Sequence, residues 1–566
     1  MDEKQLPQPV AGAGVGSTAP ASQRSWKRPL AAAAILCCYM LSRCTLLMEK
    51  DEHVAMRSPV QCPAQPPSLP SASIPFVEPH GHVERWSRSV TYPTISYDDF
   101  GSPGNDTRYD TFPPFYAYLR NTFPAVHATL AHETVNGYGN LYTWAGSDDK
   151  LKPLILMAHN DVVPVPAETV GRWEYAPFSG HVDEQGWVHG RGAGDCKNLL
   201  LSVYEVVESL IHAGFKPRRS VILAFGFDEE ISGPQGAKHI AARLLEKYGK
   251  DSAIAILDEG GVMDLGLGKE DGVAFALPAV KEKGYFDVKV SVETAGGHSS
   301  IPQPHTSIGY LAKLIERIEA HPHSPHLALE NPVTAHLQCL VEHAPHSLDK
   351  PLLHRLQDAS RWDEAAEMIA ERDVAQRYLF QTSQAVDLIQ GGVKVNALPE
   401  VASAVVNQRI DVASSVAEMK QHLNALIRPY AERLGMRFVG FDEEEKEDAS
   451  QHAASDIKGT VKLELFGSPL DPAPSTPTEG QVWDTLAGTL KGLFGDHLIV
   501  SPHLMTGNTD TRHYWDLTNN IYRFEAHDAS LVRDIHTVNE RVHKDAHVQT
   551  MSFLHQFIQQ LDNLNE

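Results

Sequence analysis

Three short apolar runs most constrain what this chain can fold into: Lys152 to Ala158 (KPLILMA), Ser220 to Phe227 (SVILAFGF) and Ser252 to Leu257 (SAIAIL). Runs of this length with so few polar residues fit strands covered on both faces. Between the first two, Leu199, Val203, Val206, Leu210 and Ala213 recur at helical spacing, Gly214 supplies a stop and Pro217 follows it. Strand, helix, strand predicts an α/β domain with a mixed, largely parallel sheet flanked by helices. Polar residues follow the strands: His159 the first, Glu229 and Glu230 the second, Asp258 the third. Open α/β sheets place their sites at such strand ends.

The pattern changes at Tyr285 to Val292, which alternates as a strand with one wet face, and a helix-like SIGYLAKLIERIEA (307–320) follows. A further strand at Ala402 to Ile410, a helix at Ser415 to Ile427 and an alternating Val461 to Phe466 complete a small α+β insert. Residues 285–467 are therefore expected to form an inserted lid, with 85–284 and 468–566 as the main domain and the Pro-rich 468–477 as the return crossing. Residues 322–385 add a helical elaboration. The acidic DEEEKED run (442–448) fits a solvated loop.

At 566 residues with 42% hydrophobic residues, the chain suits two domains and a large core. Lys and Arg number 49 against 72 Asp and Glu, so the net charge is 49 − 72 = −23. With no Lys/Arg-rich block in the body, this argues against a nucleic-acid partner. Six cysteines, three of them (Cys37, Cys38 and Cys44) in one N-terminal apolar stretch, are too few for a disulfide scaffold. That stretch is apolar from Leu30 to Met48 except for Ser42, Arg43 and Thr45. Arg24, Lys27 and Arg28 precede it, and Glu49, Asp51 and Glu52 follow it. The charge asymmetry predicts a type II signal anchor over 29–48, a disordered cytosolic tail over 1–28 and a lumenal body. A cleaved signal peptide is the alternative. Seven prolines between Arg57 and Pro79 predict a semi-extended stalk over 49–84. Asn105-Asp106-Thr107 is an N-glycosylation sequon, suited to a lumenal body.

His159, Asp161, Asp195, Glu229, Glu230, Asp258 and His536 are spaced like the ligands and base of a two-zinc hydrolase. Such a site needs a carboxylate bridging two ions, further ligands for each and a base for the attacking water. Singly, each residue has a bland reading, as a satisfied polar residue or an ordinary turn aspartate. Together they are harder to explain, because adjacent carboxylates at Glu229 and Glu230 after a buried strand repel each other unless a cation is near.

The strings MAHNDVVPV (157–165), WEYAPFSGHVD (173–183), GRGAGDCKNLL (190–200), FDEEISGPQGA (227–237), GGHSSIP (296–302) and TGNTDTRHYW (506–515) resemble the co-catalytic zinc exopeptidase and aminoacylase family from about residue 85 to the C-terminus. The resemblance implies two zinc ions per subunit, with Asp195 bridging, His159 and Asp258 on one ion, and Glu230 and His536 on the other. It implies Glu229 as general base, Asp161 as the residue that orients His159, and a cis peptide at Asp195-Cys196. His298, Asn396 and Arg409 of the lid, with Gly507, would contact substrate. The implied activity is a zinc carboxypeptidase acting on short or N-blocked peptides in the vacuolar lumen. The same fold leaves open an N-acyl-amino-acid amidohydrolase, and a rival of another class is a catalytically dead receptor or scaffold. An aminopeptidase-type two-zinc enzyme fits less well, since it would lack the GGHSS lid. The resemblance leaves room for a homodimer through the lid.

Overall fold

The computed structural model describes residues 59–441 and 457–565. The predicted tail (1–28), signal anchor (29–48), first stalk residues (49–58) and acidic loop (442–448) lie outside the described residues. Among the described residues no helix is long and apolar enough to cross a membrane.

The apolar runs form the centre of a ten-stranded main sheet: β1 (Leu154–His159), β2 (Val221–Gly226) and β3 (Ala255–Asp264). β1 lies between β2 and β3, parallel to both, and every residue of β1 and β2 is buried. The late strand Ile521–Asp528 runs parallel to the far side of β3. The sheet is therefore mixed but largely parallel at its centre. Helix α1 (Lys197–His212) packs with the C-terminal helix Lys544–Asp562 on one face. It stops at Ala213, after which Gly214 adopts a left-handed φ of 78°. Helix α2 (Ala237–Tyr248) covers the opposite face through Ala237, Ile240, Ala241 and Leu244.

A separate four-stranded sheet joins distant stretches of chain. Arg541–His543 pairs with Trp187–His189 and with Val532–Arg533, while His181–Val182 closes the far edge. This pairing carries the loop 534–540 across the Gly-rich loop 190–196.

The segment expected to form the lid carries a separate five-stranded sheet, in the order Ala385–Gly391, Val401–Ile410, Gly284–Thr294, Gly459–Leu465, Arg437–Val439. Helices Ser307–Glu319 and Val416–Arg433 cover one face, burying Tyr310, Leu311, Leu314, Leu423 and Ile427.

Two segments make contacts that the sequence did not indicate. The 322–385 elaboration is helical, but it is not part of the lid body. Its Val333, Leu337, Leu340, Leu356 and Trp362 share a core with Phe275, Ile499 and Leu504 of the main domain. These helices cover strands beyond the parallel centre, where exposed sheet edges would otherwise be open to pairing. The described part of the Pro-rich stalk is not free either. Gln65 exchanges hydrogen bonds with the Val500 backbone at 3.0 and 2.9 Å, Leu69 N–H donates to Gly488 O at 2.8 Å, and Gln556 accepts from Ala72 N–H at 2.7 Å. A disulfide links Cys62 to Cys339 on helix Pro332–His343. Proline-rich chain cannot pair its own backbone, so it satisfies its polar groups on the body instead.

Candidate metal centre and active site

Asp195 ends the Gly-rich loop that opens α1, and the peptide to Cys196 is cis. A buried carboxylate from the opposite loop holds this turn in place. Glu540 accepts from the backbone N–H of Gly194 at 3.0 Å and of Asp195 at 3.4 Å, and pairs with buried Arg191 at 2.5 Å. The turn is thus positioned by the same segment that delivers His536.

The two oxygens of Asp195 face different imidazoles. His159 Nε2 lies 2.8 Å from Oδ1 and His536 Nε2 lies 2.9 Å from Oδ2. His536 Nε2 is also 3.1 Å from Glu230 Oε2, so His159, Asp195, Glu230 and His536 converge from four separate stretches of chain. His536 and the nearby Asp534 and Asn539 adopt left-handed backbone, with φ of 61°, 60° and 68°.

The structure does not bring Asp258 into this group. Glu259 Oε2 lies 3.4 Å from His159 Nε2. β3 runs on through both acids, but its pairing with Ile521–Asp528 shifts register between Asp258 and Gly261, an irregularity that re-aims side chains locally. Before the shift, Ala255 and Leu257 share the α1-side core and Ile256 belongs to the α2-side core. Asp258 lies near Asp510 and Tyr514, with its Oδ2 buried and without a hydrogen-bond partner.

Glu229 and Glu230 begin a short turn after β2. The fully buried Asp161 holds both, since its Oδ1 and Oδ2 accept from the Glu229 and Glu230 backbone N–H at 3.1 Å each. His159 Nδ1 lies 3.0 Å from Asp161 O and 3.2 Å from its Oδ1, which leaves Nε2 to face Asp195.

The charge balance calls for cations. Burial, then the Glu259 and Glu230 carboxylates, push the Glu229 carboxyl well above its usual range. Burial and Asp195 push Glu230 up to about 7, and burial and Asp195 push Glu259 up to about 8. Hydrogen bonds donated to Asp195 and Glu230 push His536 up to about 10. Protein alone must retain protons here to offset the clustered carboxylates, a duty that metal dications take over when they bind. Two imidazoles and three carboxylates form a donor set suited to zinc, and also to cobalt or manganese. Cys196, the remaining nearby donor, is pushed well up by burial and by Glu259, so it stays a thiol.

The predicted lid contacts fall into two groups. His298 lies on an exposed two-residue strand paired with Ala397, and Asn396 O accepts from Ser299 N–H at 3.3 Å beside it. Neither has a hydrogen bond or ion pair to the metal-ligand candidates. Arg409 reaches back to the main domain: Nη1 donates to Asn508 Oδ1 at 3.3 Å, and the guanidinium lies 4.7 Å from the Tyr285 ring centre. Asn508 follows Gly507, where a side chain would meet only open space. Glu282 anchors this loop through Thr509 N–H at 2.8 Å and pairs with buried Arg523 at 3.0 Å. Arg512, whose field includes Glu229 and Arg409, was not singled out in the sequence. Nor were Asn508 and Glu259, although the doubled acid in LDEGG was a signal that one of the two must face the site. Asn105 is exposed on a turn closed by its N–H to Ser102 O at 3.0 Å.

Residues 155–560 match the Peptidase family M20/M25/M40. The chain is 40% identical over 501 residues to carboxypeptidase S of Saccharomyces cerevisiae, covering 86% of this chain and 84% of that one. It is 32% identical over 496 residues to an N-fatty-acyl-amino acid synthase/hydrolase of Bos taurus, covering 84% and 87%. Its fold is similar to that of the M20 family metallo-carboxypeptidase Sso-CP2 from Sulfolobus solfataricus, with a TM-score of 0.53 at 15% identity, over 85% of this chain and 99% of that one.

Proposed function

The chain belongs to peptidase family M20/M25/M40, and from that premise we propose that it is a zinc metallo-carboxypeptidase releasing C-terminal residues from short or N-blocked peptides. The observation that carries this reading is the split of Asp195, one oxygen toward His159 and the other toward His536, with Glu230 and Glu259 closing the two sides. Asp195 would bridge two zinc ions, His159 and Glu259 would complete one site, and Glu230 and His536 the other.

Bound there, the ions would acidify a water and polarise the scissile carbonyl. Glu229 takes the proton as the water oxygen joins the carbonyl carbon, and returns it to the amide nitrogen as the C–N bond breaks. Asp161 fixes the backbone of that base. We assign His298 and Asn396 to the scissile carbonyl side of the lid. Arg409, with no carboxylate partner of its own among the described residues, is assigned to the substrate's free carboxylate, which suits bidentate guanidinium binding. Gly507 and Asn508 form the adjoining wall.

A second reading, an N-acyl-amino-acid amidohydrolase, is favoured by the bovine relative and uses the same arginine, because its substrates also end in a free carboxylate. The dead-scaffold reading has no missing ligand in its favour. We retain the vacuolar lumen as the location, and the Cys62–Cys339 disulfide supports an oxidising compartment. We retain the signal anchor at 29–48, glycosylation at Asn105 and a homodimer through the lid as parts of the proposal.

The test compares an N-blocked dipeptide, its C-terminal amide and an N-long-chain-acyl amino acid, with metal content measured in parallel. Turnover confined to the free-carboxylate dipeptide, with two zinc ions per chain, is the expected outcome. Preference for the long acyl chain would move the assignment to the second reading, and failure to cleave any of them would reject both.

A further inference from the structure

A cavity of about 330 Å³ adjoins the proposed metal ligands. Its rim is made by their chain neighbours: Gly194 precedes Asp195, Gly260 follows Glu259 and Ile535 precedes His536. The lining also includes Asn198, Glu525 and His527, alongside apolar Val262 and Val532.

The cavity lies on the α1 side of the main sheet, since Asn198 is in the first turn of α1. The Asp510–His513 turn that carries Arg512, and follows Asn508 in the chain, packs against α2 on the other side. A substrate whose carboxylate is held by Arg409 and Asn508 therefore crosses the metal ligands, and its acyl side runs toward this cavity.

Glu525 is the unusual group. Its side chain is only 13% exposed, and its Oε2 accepts one long hydrogen bond, 3.3 Å from Asn198 Nδ2. His527 Nε2 is 3.9 Å away, beyond hydrogen-bond reach, and burial pushes that imidazole down to about 4, so it brings no positive charge. The other ionic groups lining the cavity are Arg533 and Asp534. Arg533 is exposed and donates to the Ala529 and Val532 carbonyls, and Asp534 pairs with Arg541 at 2.6 Å. Burial, then the Asp195 carboxylate, push Glu525 up to about 8, and a cationic partner in the cavity would hold it ionised.

We infer that this cavity is a subsite for an alkylammonium group on the substrate residue at the acyl side of the scissile bond, with Glu525 as its counter-ion. The inference rests on the carboxypeptidase reading above. The ammonium can come from two sources, the free α-amino group of an unblocked dipeptide or the side chain of lysine in a blocked one.

The experiment measures kcat/KM of the full-length metal-loaded enzyme on acetyl-Ala-Leu, Ala-Leu and acetyl-Lys-Leu, for wild type, Glu525→Gln and Glu525→Asp, with zinc content recorded. In the wild type one ammonium-bearing substrate should exceed acetyl-Ala-Leu by about tenfold or more, as a close desolvated charge pair provides. Which of the two does so identifies the source. Glu525→Gln should bring that ratio near one, chiefly through KM, with zinc retained, and Glu525→Asp should recover part of it. Turnover of acetyl-Ala-Leu with no ammonium preference overturns the inference and leaves the carboxypeptidase reading standing. A ratio unchanged in Glu525→Gln, or loss of zinc in that variant, overturns it as well, because Glu525 would then serve the metals. Absence of turnover on all three substrates overturns both readings together.

Discussion

At the scale of single residues, the site is decided by which way individual side chains face. Glu229 sits beside the metal-ligand candidates with its backbone held by Asp161. Glu229→Gln should fold and keep its metal while turnover falls by about a hundredfold or more, the usual cost of losing a general base. A wild-type rate in that variant would remove Glu229 from the mechanism. The neighbouring acids of LDEGG provide a sharper comparison. Glu259→Ala should lose metal in elemental analysis, because its oxygen is the one near His159, whereas Asp258→Asn should retain it. The reverse pattern would restore Asp258 to the ligand set. His159, Asp195, Glu230 and His536 were legible in the sequence because each lies in a loop or at a strand end whose motif is local. That Glu259, next to Asp258, has the ionic contact to His159 was not legible, because an apolar run ending at Leu257 conceals how far its strand continues and where its pairing shifts register.

At the scale of elements, the centre depends on two loops from opposite ends of the chain being clamped together. The clamp is the buried Arg191–Glu540 pair, reinforced by Glu540 on the Gly194 and Asp195 N–H groups. Glu540→Ala leaves a buried guanidinium and two amides without partners. It should cost about 3–5 kcal/mol in urea unfolding and weaken metal retention through Asp195. A loss below 1 kcal/mol would show that the four-stranded sheet holds the loops without it. The strands and helices of the sheet and lid were legible from periodicity. The use of the 322–385 helices was not, because amphipathic helices reveal an apolar face but not which surface it will cover.

At the scale of the whole molecule, the helical elaboration is joined to the main domain through a buried histidine. His336, on helix Pro332–His343, bonds Ser501 Oγ through Nδ1 at 2.9 Å and packs against the rings of Phe275 and His503. Burial, then the neighbouring His503, push its pKa down from 6.5 to about 3, and burial pushes His503 down to about 4. Between pH 6.5 and 3 the unfolded chain binds the His336 proton and the folded chain does not. Its contribution is therefore complete above 6.5 and is lost as the pH falls toward 3. The loss is on the order of 5 kcal/mol at most. Urea unfolding of wild type and His336→Gln at pH 7 and pH 4.5 should show a shallower pH dependence in the variant, and equal slopes would exclude His336 as a source.

The amino-acid order alone determined the α/β sheet, the inserted lid and the loops that carry the donors, because strand length, helical spacing and turn residues act over a few positions. Tertiary structure decided which of two adjacent acids faces the histidines, that the proline-rich segment lies strapped to the body by Cys62–Cys339, and that the extra helices belong to the main domain. Those outcomes depend on contacts between segments hundreds of residues apart, and local pattern carries no record of the surface a segment will meet.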